Sequence, residues 1–549
     1  MSQFQEKRES LNPGRAVLGR RELFRRSTAL ALPALLADDL IASATPSELV
    51  QTEGFGAAEE LYRRIGVRPL INARGTFTII SGSLMLPEVR EAMTLAAQAH
   101  VQLDELAEAV GARLAEITKA EWGMVSSGCA ASLMHATSAC VAGGNPDLHV
   151  RIPNLAGFPK DEVIIPIYSR NVYDAAVRTV GVRVIEVDTL EELEEALGPR
   201  TAMIYILAGR QSNEGPLSLP EIVKLAKRRD IPILVDAAAE ILTVPNIHLV
   251  NGADLVGYSG GKCIRGPQAG GLLLGRKDLV KAAWVHSAPH HGAGRSMKVG
   301  KEEAVGMLVA VEQWLKRDHE GEWRTWLSWL NHIARRISAI EGVTTTIRET
   351  TKLSNRTPSL LVHWDARKIP LSGSAVTELL YNTEPRIATS GGRRRGDDDE
   401  SISITAYMMS PGDERIVADK LHKLLSNPPK RERGNEVIPP ATVLSGRWEV
   451  HIEYAAGHST HTLHLSQKGD RLTGTHQGDF VWRDISGSIS GDSVELSSAL
   501  SEQRGDSVNY RFTGTVDGDT ISGTLDLGEY LSARWCGKRH HTPRRRRRS

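Results

Sequence analysis

The chain is poor in cysteine and aromatic residues and carries almost no net charge. Four cysteines in 549 residues (Cys129, Cys140, Cys263 and Cys536) show neither CxxC nor metal-ligand spacing, which excludes a disulfide framework or a zinc module. Stability must therefore come from burial. A net charge of +1 leaves no global field that would favour nucleic acid or a membrane surface, and no nucleic-acid partner is expected. The one long basic run, Arg544 to Arg548, reads as a solvated tail over 541–549 rather than an RNA-binding patch. No segment reaches transmembrane length, so no membrane span is expected. What remains is ordinary for a globular protein: 41% hydrophobic and 24% charged residues, in a chain too long for one core.

The N-terminus departs from this plainness. In "LGRRELFRRSTALALPALLADDLIASATP" a basic region precedes a short apolar run, Ala29 to Ala37, and then the small residues Ala42-Ser43-Ala44. That is the order of a secretory signal, and Arg20-Arg21 with Leu23-Phe24 resembles the twin-arginine type. Export with removal of residues 1–44 is the expectation; the alternative is a basic amphipathic leader on a cytoplasmic protein.

From Glu59 to Ser426 helical and strand-like stretches alternate. "DEVIIPIYS", "GVRVIEV", "TAMIYILAG", "IPILVDAAAE" and "ADLVGYSGG" are short, continuously apolar and rich in β-branched residues, with helical stretches such as "LPEIVKLAKRRD" between several of them. Buried parallel strands with crossover helices have this texture, so the fold class is α/β, doubly wound, with ligands at the carboxyl ends of the strands. The large domain is expected over 59–345 and a small α+β lobe over 346–426, followed by a Pro-rich charged linker over 427–441. From 442 to 540 the pattern becomes all-β. Eight short alternating segments are punctuated by Gly-Asp at 469–470, 478–479, 491–492, 505–506 and 518–519, the signature of an antiparallel meander able to close into a barrel. His458, His461 and His464 lie close together there and read as surface polar residues rather than ligands.

The chemistry concentrates around "SGGKCIRGPQAGG". Asp236 ends one buried strand, and Lys262 follows the next on the same edge of the sheet, flanked by glycines. Upstream, Ser126-Ser127-Gly128 leads straight into an apolar helix; a small-residue turn at a helix N-terminus offers free N–H groups and the positive dipole end to an anion. A phosphate cup, a buried carboxylate and a glycine-flanked lysine together are what pyridoxal phosphate requires.

At these residues the chain resembles fold-type-I pyridoxal-phosphate enzymes of the selenocysteine-synthase-like group, which includes the D-glucosaminate-6-phosphate ammonia-lyase-like proteins. "VDAAAE", "ADLVGYSGGKCIRGPQAGGLLLG" and "RSMKVGKEEAVGMLVAVE" carry the likeness, which spans about Leu61 to Ser426. It implies that Lys262 is the Schiff-base lysine, that Asp236 pairs with the pyridine nitrogen, and that Ser126, Ser127 and Gly128 hold phosphate, with Ser259 also at the cofactor. "YSRNVYDAAVR" has Ser169 where the group usually has histidine, leaving Arg170 and Tyr173 as substrate-side candidates. Arg386 is a candidate carboxylate binder or a structural ion-pair residue. Arg265 and Gln268 either touch substrate or only shape the lysine loop. "HSAPHHGAGRSMKVGKEE" gathers His290, His291, Arg295, Lys298 and Lys301, read as anion or partner-subunit contacts rather than a metal site; no metal is expected.

The resemblance implies an enzyme acting on a small amino-acid substrate, as at least a homodimer. The expected reaction is α,β-elimination from an amino acid with a β-leaving group, giving ammonia and a keto acid. Selenium transfer to seryl-tRNA(Sec), racemisation and aldol cleavage are the alternatives on the same cofactor. A binding module is disfavoured by the retained Asp236 and Lys262.

Overall fold

The computed structural model describes residues 55–391, 399–429, 438–498 and 508–540, so the leader at 1–44, the basic tail at 541–549 and the middle of the linker lie outside the described residues. Of the described residues, those from Phe55 to Leu70 belong to a unit of their own, with helix α1 (Phe55–Arg64). The second unit runs from Ile71 onward.

That second unit opens with β1 (Ile71–Asn72), α2 (Pro87–Ala96) and α3 (Leu103–Thr118). β2 (Trp122–Ser127) then feeds α4 (Gly128–Ala142), and β3 (Glu162–Pro166), β4 (Arg183–Val187) and β5 (Thr201–Leu207) follow. After α5 (Leu219–Ala226) come β6 (Ile233–Asp236), β7 (Leu255–Ser259) and β8 (Gly270–Gly275). They form a seven-stranded sheet in the order β2-β8-β7-β6-β5-β3-β4. It is parallel except for β8, which runs antiparallel to both neighbours.

Strand alternation divides the core between the two faces of this sheet. Ile204 and Ile206 of β5 join Ile233 and Val235 of β6 in one cluster, covered by Val89, Val110, Leu114 and Ile222 of the helices. Met203 and Tyr205 point the other way, into a cluster with Leu234, Leu255 and the α4 residues Leu133 and Met134. Covering both faces explains why these strands read as unbroken apolar runs. Between Cys129 and Ala142 every α4 residue except Ala130 is buried, as expected of a helix apolar all round.

α6 (Lys277–Val285) and α7 (Lys301–Trp314) complete the large domain. The small lobe combines α8 (His319–Ile337), β9 (Val343–Arg348), β10 (Ser359–Asp365), α9 (Gly373–Asn382), β11 (Ile387–Ala388), β12 (Ser390–Gly391), β13 (Asp399–Thr405) and α10 (Asp413–Ser426). Its antiparallel sheet has the order β12-β13-β10-β9. Leu330, Ile333 and Ile337 of α8 belong to the core of this lobe, so α8, before residue 346, packs with it. β1 pairs parallel with β11, tying the segment after residue 70 to the lobe.

The C-terminal strands are β14 (Gly446–Glu453), β15 (His458–Lys468), β16 (Arg471–Gln477), β17 (Trp482–Ser490), β18 (Ser493–Ser498), β19 (Tyr510–Asp517), β20 (Thr520–Asp526) and β21 (Ser532–Arg539). They close into a barrel. Gly469, Gly491 and Gly518 take φ of +63°, +59° and +57° as the first residues of the two-residue turns, the position at which a type II′ hairpin wants glycine. β21 returns to β14 from Trp448–Arg539 to Glu453–Arg534, and Arg539 donates to the carbonyls of Val443 and Ser445 at 2.6 and 2.8 Å. His458 and His464 are exposed, as expected. His461 is not: it shares the inward parity of Leu463 and Leu465, is buried, and bonds His476 at 2.9 Å, which in turn bonds Ser498 at 2.9 Å. Among the described residues no helix is long and apolar enough to cross a membrane.

Candidate active site

The carboxyl ends of β2, β6 and β7 lie along one edge of the sheet. Register places Ser126 opposite Gly271 of β8, and Gly271 opposite Ser259 of β7, while Asp236 pairs with Gly257. At this edge α4 begins, with Ser127 as its cap residue and no side chain capping the free N–H groups. Gly128 has φ +81° and open space where a side chain would sit. An uncapped N-terminus on a buried helix presents N–H donors and positive dipole to whatever lies above it.

Ser126 and Ser127 have different surroundings. The Ser126 hydroxyl is fully buried, donates to the Gly128 carbonyl at 2.8 Å and shares a 2.6 Å bond with Ser132. It shapes the turn from beneath, and its side chain is committed there. The Ser127 side chain remains partly exposed.

Asp236 is buried and held at both oxygens. Tyr205 donates its hydroxyl to Oδ2 at 2.8 Å, and the Ala238 N–H donates to Oδ1 at 3.1 Å, where the Cys129 thiol also lies at 3.7 Å. Burial holds the carboxyl above its ordinary range, an effect that the Tyr205 and Ala238 bonds and the charge of Lys262 offset only in part. Burial likewise drives the Cys129 thiol and the Tyr205 phenol well up, so both remain protonated donors.

Lys262 sits half-buried in the turn after β7, its Nζ 6.0 Å from the centre of the Tyr173 ring. The glycines around it are explained by close packing. A Cβ on Gly260 would stand 2.6 Å from the Met307 sulfur of α7 and 2.8 Å from the Gly270 carbonyl, so the loop lies flat on that helix. The Gly260 N–H bonds the Gly270 carbonyl and the Gly266 N–H bonds the Gly260 carbonyl, both at 2.8 Å.

Arg265, with φ +59°, donates its Nε to the Leu84 carbonyl at 3.0 Å, and the Gln268 amide packs across Gly82 and Gly261. Both residues clasp the 81–86 segment onto the lysine loop. Of the substrate-side candidates, Tyr173 is brought to the amine. Arg170 is not: its side chain is 5% exposed, donates to Asp174 at 2.6 Å and pairs with Glu186. Arg386 also turns elsewhere, donating to the Tyr381 carbonyl at 3.0 Å and stacking over that ring at 4.7 Å. Ser169, in the place of the expected histidine, is buried and accepts the Leu207 N–H at 3.0 Å, joining the turn after β3 to β5.

In the 286–301 stretch His290 meets Asp104 at 3.2 Å and Lys301 donates to the Ala96 carbonyl at 2.9 Å. Among the described residues no group of three or more His, Cys, Asp or Glu is placed to hold a metal ion. Tyr205 and Cys129 were not singled out in the sequence. A phenol inside the apolar run "TAMIYILAG" is itself a signal, because a buried hydroxyl needs a partner.

Sheet order, the buried carboxylate and the glycine-bedded lysine define a fold-type-I architecture. The aminotransferase class-V family model matches residues 170–305. D-glucosaminate-6-phosphate ammonia lyase of Salmonella typhimurium is 32% identical over 295 residues, covering 52% of this chain and 76% of that protein. The 5'-C-glycyluridine monooxygenase-decarboxylase of a Streptomyces is 31% identical over 293 residues, 51% and 72% of the two chains. L-seryl-tRNA(Sec) selenium transferase of Moorella thermoacetica is 27% identical over 294 residues, 46% and 56%. The solved structure of D-glucosaminate-6-phosphate ammonia-lyase superposes with a TM-score of 0.59 at 27% identity, over 66% of this chain and 98% of that one. The chain belongs to the aminotransferase class-V family, as a homologue of these enzymes. Family membership implies pyridoxal phosphate. The donor set fits it, with an open helix N-terminus, a buried carboxylate and a lysine amine at one sheet edge.

Proposed function

We propose that this protein is a pyridoxal-phosphate-dependent lyase that releases ammonia and a keto acid from an amino acid carrying a β-leaving group. The observation that carries this reading is the placement of Lys262 beside Asp236 and Tyr173, with the start of α4 closing the same edge. When bound, the cofactor supplies an electron sink for charge developing at the substrate Cα. The Ser127 hydroxyl and the N–H groups at the start of α4 would hold its phosphate, and Asp236 would hold its ring nitrogen protonated. Ser259 lines the same edge. Lys262 would attach the cofactor and then, freed, move the proton at the substrate Cα. Tyr173 stands over that amine on the open side and would border the substrate. The 32% identical lyase supports ammonia release as the reaction.

The test is to incubate the cofactor-loaded protein with D- and L-β-hydroxy amino acids and to follow ammonia, keto acid, carbon dioxide and oxygen uptake. Equal release of ammonia and keto acid is expected. Carbon dioxide release with oxygen uptake would instead favour the chemistry named for the Streptomyces relative. The same proposal includes export through the Arg20-Arg21 leader and action as at least a homodimer.

A further inference from the structure

Asp236 takes one of its hydrogen bonds from a residue on the neighbouring strand. Tyr205 lies two residues before the end of β5, is fully buried, and reaches across to Oδ2 of Asp236. Its oxygen also accepts a bond, from Asn171 Nδ2 at 3.1 Å. The orientation of that amide follows from its other contacts. Asn171 Oδ1 accepts the Tyr173 N–H at 2.8 Å, and Nδ2 donates to the Ser169 carbonyl at 2.8 Å. The amide nitrogen therefore faces Tyr205, and the Tyr205 proton is directed to Asp236. Each bond in the chain from Asn171 through Tyr205 to Asp236 then has a defined donor and a defined acceptor.

We propose that Tyr205, oriented by Asn171, is a positioning residue that keeps Asp236 ionised and fixed in rotation at the ring-nitrogen end of the cofactor site. The inference rests on the assignment of Asp236 to the cofactor's ring nitrogen. A carboxylate taken out of water tends to bind a proton, and a neutral Asp236 could not stabilise a protonated ring nitrogen. A donor with no alternative acceptor opposes that tendency. The same amide also bonds the backbone of Tyr173, whose ring faces Lys262. One side chain thus sets the geometry at both ends of the site.

The test compares wild type with Tyr205→Phe, Asn171→Ala, the double variant and Asp236→Asn. Three quantities are measured: the pyridoxal-phosphate dissociation constant of the apoprotein, the absorption band of the bound cofactor against pH, and the apoprotein melting temperature. Loss of one charge-assisted bond predicts about a tenfold weaker cofactor and a displaced band titration in Tyr205→Phe. Asn171→Ala should shift the band titration in the same direction by less, and the double variant should match Tyr205→Phe in that titration, because both changes reach Asp236 through one chain. A lowered melting temperature with an unshifted band would make Tyr205 merely structural and overturn the proposal, as would additive band shifts in the double variant. Asp236→Asn separates the two levels. If it loses cofactor while Tyr205→Phe retains it, only the positioning role fails; if it binds like wild type, the underlying assignment of Asp236 fails.

Discussion

Gly271 offers a demanding test of the phosphate-cup geometry, because it touches the cup only from behind. It lies in β8 between Ser126 and Ser259, with an ordinary strand φ, so an alanine is conformationally acceptable there. Space is the obstacle. The added Cβ would stand 2.6 Å from the Ser126 hydroxyl and closer still to the Gly128 backbone, which cannot rotate away as a side-chain tip would. Relief requires the first turn of α4 to move by roughly 1 Å, enough in an aligned site to cost on the order of a hundredfold. Overpacking of this kind also costs about 1–3 kcal/mol of stability. Cofactor titration followed by absorbance, with a melting curve of the apoprotein, should show that loss of affinity in Gly271→Ala. Wild-type cofactor affinity in Gly271→Ala would refute the placement of the cup at the start of α4.

Lys262→Ala should abolish borohydride-dependent covalent labelling by the cofactor; labelling at another lysine, found by peptide mapping, would reassign the site. Export predicts a mature N-terminus near Thr45 and cytoplasmic retention after Arg20→Lys with Arg21→Lys; a cytosolic chain with Met1 or Ser2 intact would contradict it. Truncation after Pro440 should leave a folded core that still binds cofactor, and insoluble product or lost binding would assign the barrel a structural role in the site. Burial holds His135 and His476 at about 3 and His286 at about 4, against an ordinary value of 6.5. The unfolded chain then takes up protons that the folded chain refuses, so stability is full above pH 6.5 and falls towards pH 4. Each group contributes about 1.4 kcal/mol per pH unit in that window, and His476→Gln should flatten the decline seen in denaturant melts between pH 7.5 and 5.5.

Much of this architecture was legible from the sequence because burial imposes composition. β3, β5, β6 and β7 carry unbroken apolar runs since both faces are covered, and the Gly-Asp pairs at 469–470, 491–492 and 518–519 mark two-residue turns whose first residue has positive φ, whereas Gly478-Asp479 falls in a longer loop without one and 505–506 lies outside the described residues. The direction of β8 was not read, although only residues 260–269 separate it from β7, too short a span for a parallel crossover. Arg170 stands out in the sequence as a substrate-side candidate because its charge is visible there, while Glu186, on β4, is brought to it only by folding. Asp174, four residues on, was the available hint. His461 could have been placed inside by its parity with Leu463 and Leu465. Its partner His476 depends on strand register, which local pattern leaves open.

The closure of the barrel has a mechanical consequence. Because β14 and β21 are antiparallel neighbours, the linker enters and the chain leaves at the same end, beside the Trp448–Arg539 pair. Tension applied between those two points would not shear the seam along its length. It would break the Arg539 clasp to Val443 and Ser445 first and then the ladder one rung at a time, ending at Glu453–Arg534. A barrel joined in this way opens under force as a zipper does, and single-molecule pulling on Thr442 and His540 should show low, stepwise rupture rather than one high peak.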